Sequence, residues 1–253
     1  MNTHCFLFWS DFLNRRYFDI LSPVLSFVCF ASVLAMIAHA LDFISFAHGE
    51  KIFIGILVVI SGYSAACFRS IGINNVAARK KVIGKRLFLL FIFYIVMLID
   101  FTLIDDGMGR NIFNIFNWNS TAFADYINDS TNLVPFATVR LFINGYSNGK
   151  LTLFACFENI IGNFVAFMPL PFFTVCLFRR FNKWYSVFIT VLISVLLVEL
   201  LQFVFLTGAS DIDDVILNVS GAMAFYGFLK IKCISKGISK ITFGVWETVE
   251  NKN

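Results

Sequence analysis

Carboxylates and carboxamides recur at helical spacing in the last third of this chain, inside stretches that are otherwise apolar. Glu199 and Gln202 stand three apart. Asp211, Asp214 and Asn218 follow at i, i+3 and i+7, which is one stripe of a helix. Upstream, Asn159 and Asn163 are four apart and share a face. A carboxylate in hydrocarbon costs roughly 2.5–3.5 kcal/mol on insertion scales, so such groups face a protein interior and find partners there. Two chemistries suit the set. Asn159, Asn163, Glu199, Gln202, Asp211, Asp214 and Asn218 can bind the polar end of a ligand, with amides donating to carboxylates. Alternatively, Glu199 and Asp214 can act as an acid/base pair on a lipid-linked substrate. No Ser–His, Cys–His or metal motif accompanies them, which favours binding over catalysis. Polar side chains also hold membrane helices together at about 0.6–2 kcal/mol each, a role open to every amide named.

The elements that must position these groups are membrane spans. Hydrophobic residues make up 58% of the chain, charged residues only 14%, and the mean hydropathy is +0.79. That is no soluble globular composition. Windows of about 20 residues place spans near 20–40, 52–68, 87–104, 155–177, 185–206 and 214–230. Their apolar runs lack period-2 alternation, which argues against an outer-membrane barrel. The expected fold is all-α: a polytopic bundle of six transmembrane helices. The run 20–40 ends in a small-x-small triplet, Ala38-His39-Ala40, but exceeds the roughly 7–15 apolar residues of a leader, so it reads as an uncleaved first helix.

Charge sets the orientation. Arg15 and Arg16, the acid-free segment 69–86, Arg179 to Lys183 and the tail from Lys230 carry all but four of the 20 basic residues. The exceptions are Lys51, Arg110, Arg140 and Lys150. The positive-inside rule then places both termini in the cytoplasm and the segments 41–51, 105–154 and 207–213 outside. The fourth, fifth and sixth spans therefore carry their polar groups at one depth, the outer half of the bilayer. Arg79-Lys80-Lys81 reads as a topology determinant rather than a nucleic-acid site. The six cysteines and three histidines show no ligand spacing, and no cysteine falls in an exterior segment; neither a disulfide framework, a metal nor a cofactor is expected.

Three regions follow: an N-terminal transmembrane hairpin (1–68), a membrane domain (85–230) and a cytoplasmic tail (231–253). Small residues at Ser61, Gly62, Ser64, Ala65 and Ala66 suit close packing within the hairpin. The exterior segment 105–154 is too long for a connector and stays rich in aromatics, so it should lie on the bilayer surface or fold back over the helices. Pro135 restricts Val134 to extended geometry and makes a corner of Asn-Leu-Val-Pro-Phe at 132–136. Pro169 and Pro171 should kink the fourth span and open a cavity.

Four elements resemble the VanZ-like family of bacterial membrane proteins: Asn-Leu-Val-Pro-Phe at 132–136, the run from Asn159 to Pro169, Glu-Leu-Leu-Gln at 199–202, and the stretch from Asp211 to Ala222. They occur in family order and cover about residues 85–230. Many such proteins carry an arginine before the acidic run; here the chain reads Thr207-Gly208-Ala209-Ser210, which weakens any model that needs a cation to neutralise Asp211 or to hold a phosphate there. The resemblance implies a multi-pass protein of the bacterial cytoplasmic membrane, linked through the family's namesake to low-level resistance to glycopeptide antibiotics such as teicoplanin. The partner it suggests is a membrane lipid, a lipid-linked cell-wall precursor or a lipid-tailed antibiotic, and no nucleic acid.

Overall fold

The computed structural model describes residues 15–40, 43–105, 110–178, 181 and 183–246. Arg179, Arg180 and Lys252, which enter the orientation argument above, lie outside the described residues. The chain is helical, and six helices are long and apolar enough to cross a membrane. They divide into two compact units.

The first unit holds α1 (Arg15–Ala40), α2 (His48–Ile71), α3 (Val76–Ile99) as far as Phe93, and residues 239–248. The hairpin of α1 and α2 closes where small side chains permit it. Ser61, Ala65 and Ala66 are buried, a side chain at Gly62 would press on Cys29 Sγ, and Ser22 Oγ donates to the Ala65 carbonyl at 3.1 Å. Two spans differ from their hydropathy windows. The second runs to full membrane length, and the third begins at Val76, so Arg79 to Arg86 sit on a helix rather than in a loop. Lys, Arg and Ala are good helix formers, and Asn75 Oδ1 caps the start by accepting from the N–H groups of Ala77 and Ala78. The tail is more ordered than the sequence implies. It forms α10 (Lys232–Ile241), and beyond it Val245 and Trp246 are buried. Tyr63 donates to the Ile241 carbonyl at 2.7 Å, and Arg79 stands over the Phe243 ring.

The second unit begins at Tyr94 and carries the polar residues. The end of α3 widens into a π turn at Asp100–Ile104. The segment expected outside is folded: a 3-10 turn (Ile112–Asn117), α4 (Ser120–Ser130), a two-residue strand β1 (Thr131–Asn132) and α5 (Ala137–Ser147). Phe123 and Tyr126 on α4 pack edge-on against Phe203 of α8 (Trp184–Phe205), so the segment folds back over the helices. Meanwhile Phe113, Phe116, Trp118, Leu133 and Val134 remain exposed.

The fourth span is broken rather than kinked, into α6 (Leu153–Ala166) and α7 (Pro169–Leu177). Pro169 takes the first helical position of α7, where its missing N–H costs nothing. At the break Leu170 donates to Phe167 instead of Ala166, and the Tyr94 hydroxyl takes up the Ala166 carbonyl at 2.9 Å.

The last span, α9 (Ile212–Lys230), packs on α6, α7 and α8. A preceding two-residue strand, β2 (Ser210–Asp211), pairs in parallel with β1, Thr131 opposite Ser210 and Asn132 opposite Asp211. Gly221 sets how close α9 comes to α6: a Cβ there would collide with the Phe164 carbonyl oxygen. Backbone cannot retreat as a flexible side chain can. Gly221→Ala is therefore expected to cost about 2–3 kcal/mol through overpacking, read as a lowered thermal unfolding midpoint in detergent, while alanine at exposed Gly227 leaves the midpoint within a degree or two.

Candidate functional site

Four acids open or face the N-terminus of α9, and each has a different use. Asp213 is 1% exposed, and Asp211 and Asp214 are 6% exposed. None is a solvated loop acid. Asp211 caps its own helix by accepting from the Asp213 N–H at 2.9 Å, and its Oδ1 also accepts from Asn132 Nδ2 at 3.1 Å. Asp213 reaches across to α5. It accepts from the N–H groups of Phe136, Thr138 (2.9 Å) and Val139 (3.0 Å), the unsatisfied donors of a helix start. Phe136 holds a left-handed backbone (φ 64°), unusual for an aromatic residue, and the grip of Asp213 on its N–H fixes that conformation.

The Asn-Leu-Val-Pro-Phe corner is thus a clamp on the acidic run. Asn132 spends its amide N–H groups on Asp211 and Thr138 Oγ1, and its Oδ1 accepts from the Val134 N–H at 3.0 Å. Polar atoms of the corner turn inward, while the side chains of Leu133, Val134 and Phe136 turn out, at 75%, 64% and 56% exposure.

Asp214 points towards α6, where Asn163 Nδ2 donates to its Oδ1. Glu199 on α8 accepts from the Asp211 N–H at 3.3 Å. The charges of Glu199, Asp211 and Asp214 act on one another, so the structure brings these three and Asn163 together. Asn218 sits one turn below, its amide donating to the Asp214 carbonyl at 2.8 Å and its Oδ1 buried without a partner among the described residues. Gln202 is turned to another task. Its Nε2 donates at 2.9 Å to the Thr102 carbonyl in the π turn, and its buried Oε1 has no partner among the described residues. Asn159, half-buried, makes no side-chain hydrogen bond among the described residues, so the shared face expected of Asn159 and Asn163 delivers only Asn163.

The arginine missing from 207–210 has a counterpart from another segment, Arg110. The 3-10 segment is tied to the end of α8 by the Asn111 N–H to Thr207 Oγ1 (2.6 Å) and by Asn114 Nδ2 to the Leu206 carbonyl (3.0 Å). This lays the Arg110 guanidinium over Gly208, where any side chain would collide with it. Gly208 has φ +63°, the left-handed region that glycine enters freely. The guanidinium's field reaches Glu199 and Asp214, yet its Nε and Nη1 are buried with no acceptor among the described residues. Tyr126 stands beside them; burial and the Glu199 charge push its phenol up to about 12, against smaller effects of Arg110 and the Ser210 backbone. Its hydroxyl is therefore a proton donor at neutral pH, and it too has no partner in hydrogen-bond geometry. Arg110, Asn132, Tyr126 and Asp213 were not among the residues singled out by helical spacing. Among the described residues no group of three or more His, Cys, Asp and Glu could hold a metal ion.

All of these residues lie within 91–233, the stretch matched by the model of the VanZ/LLP1 family. The chain belongs to this family. It is also similar to Protein VanZ of Enterococcus faecium, 28% identical over 152 residues that cover 60% of this chain and 73% of that protein. No solved structure matches the chain. With six spans and this family membership, the VanZ/LLP1 domain is read as part of a multi-pass membrane protein.

Two substitutions separate the clamp from the cation. Asp213→Ala removes the acceptor of three backbone N–H groups and is expected to lower stability by about 2–4 kcal/mol, with faster hydrogen exchange across 134–140. Gly208→Val should displace Arg110 while leaving that exchange unchanged, detectable as increased reactivity of Arg110 towards a guanidinium-modifying reagent such as phenylglyoxal.

Proposed function

We propose that this VanZ/LLP1 protein binds an amphiphile at the outer leaflet of the bacterial cytoplasmic membrane, both termini lying in the cytoplasm. The polar end engages Glu199, Asp211, Asp214, Asn163, Asn218 and Arg110, and the apolar tail lies along the exterior segment. Ligands of this class are lipid-linked cell-wall precursors and lipid-tailed glycopeptides. Binding either one alters the access of the antibiotic to its target, which accounts for low-level resistance to teicoplanin-like drugs.

The observation that carries this reading is the two-sidedness of residues 132–136. Asn132 and the Phe136 N–H are spent on Asp211 and Asp213, while Leu133, Val134 and Phe136 are exposed beside them. An apolar strip of chain is thereby fixed next to a buried polar cluster with open hydrogen-bonding capacity at Arg110 and Asn218. The amides Gln202 and Asn159 enter the proposal differently. Gln202 supports the site from the π turn, and Asn159 is available on the half-buried face of α6.

Purified protein is expected to bind teicoplanin at least about tenfold more tightly than vancomycin, which lacks the acyl chain; burial of two methylenes suffices for that factor. Equal or absent binding of both drugs overturns the reading. Glu199→Gln keeps shape and removes charge, so it is expected to lose both drug binding and resistance. If resistance is lost while binding is kept, Glu199 and Asp214 act instead as an acid/base pair on a lipid-linked substrate.

A further inference from the structure

The exterior face of the chain is poor in cations, yet two of its four basic residues line one open cavity of about 620 Å³ on α5. Arg140, Asn144 and Asn148 stand at i, i+4 and i+8, one face of the helix and its cap, and Lys150 joins them from the turn behind. No acidic residue lines this cavity. Among the described residues neither Arg140 nor Lys150 forms a side-chain hydrogen bond or ion pair, and both are exposed.

The turn holds Lys150 in place without using its charge. Asn148, Gly149, Lys150 and Leu151 give their N–H groups to the carbonyls of Asn144, Tyr146 and Gly145 at 2.8–3.1 Å. Three of the last four carbonyls of α5 are thus satisfied by backbone and need no cation to cap them. Gly149 takes φ +66°, and the returning chain lays Leu151 directly on Gly145, in the space a side chain there would fill. Leu141 lines the same cavity, and Ile143 and Tyr146 are exposed on the same helix.

We infer that Arg140, Lys150, Asn144 and Asn148 form a binding site for the phosphate of an anionic membrane lipid. Two free cations and two amides supply donors to a phosphodiester, and the absence of lining acids leaves its charge unopposed. The exposed Leu141, which lines the cavity with Leu151, meets the lipid's apolar part, which a free phosphate lacks. This site shares no lining residue with the carboxylate cluster of α9, and its cations do not depend on what that cluster binds.

The test is calorimetric titration of the purified chain in uncharged detergent with short-chain phosphatidylglycerol, short-chain phosphatidylcholine and inorganic phosphate. Phosphatidylglycerol is expected to bind at least about tenfold more tightly than either of the others, and Arg140→Gln with Lys150→Gln to lose about that factor. Gly145→Val retains both cations but evicts Leu151, and is expected to weaken binding as well. If the double variant fails to fold, the two single glutamine variants, both at exposed positions, carry the test. Unchanged affinity in the variants, or phosphatidylcholine as tight as phosphatidylglycerol, overturns the inference. So does inorganic phosphate binding as tightly as the lipid, which marks a free-anion site. The teicoplanin preference of the unaltered chain is a separate measurement, so either proposal can fail while the other stands.

Discussion

Burying three carboxylates and half-burying a fourth around one helix start is the constraint to which the rest of the second unit answers. An acid out of water is tolerated only where donors surround it. The donors here are mostly backbone: the N–H groups of Phe136, Thr138 and Val139 for Asp213, of Asp213 for Asp211, and of Asp211 for Glu199. Because those N–H groups belong to the exterior segment as well as to α9, the acids determine where the segment lies. Its corner, its left-handed Phe136 and its short parallel pairing with Ser210 and Asp211 are three expressions of one requirement.

The acids of the run are not engaged alike. Asp213 is fully engaged in holding α5 and has little capacity left. Asp214 and Glu199 are held by fewer donors, and the guanidinium that moderates their repulsion keeps two N–H groups unspent. Fully and partly satisfied acids thus alternate within the same run. The division follows from helix geometry: Asp211 is the cap, Asp213 faces α5, and Asp214, one residue on, turns by about 100° towards α6.

Much of this was legible in the sequence. Hydropathy located six spans, and the polar spacing in the last three located Glu199, Asp211, Asp214 and Asn163 on one cluster. Helical periodicity reports what shares a face within an element, and it is silent about which loop comes to rest on that face. Arg110, Asn132 and Tyr126 lie in a segment without apolar period, and they reach the cluster only through tertiary contacts. The corner Asn-Leu-Val-Pro-Phe was visible as a motif, but its use of Asn132 and the Phe136 N–H depended on a partner some 80 residues away. Gln202 failed in the opposite direction. Its spacing from Glu199 placed it with the acids, and its amide instead donates to the Thr102 carbonyl in the π turn. The basic stretch Arg79 to Arg86 misled because hydropathy windows end where charge begins, whereas helices do not.

Gly221 has a reach beyond its own contact. It lies seven residues, two turns, after Asp214 on the same side of α9, and it touches Phe164, the neighbour of Asn163. Aspartate and asparagine are short side chains that meet only when their backbones run unusually near each other. The bare hydrogen at 221 draws the two helices into that range along their whole shared length. A residue with no side chain, and so with nothing to offer a ligand, is what allows the pair above it to touch at all.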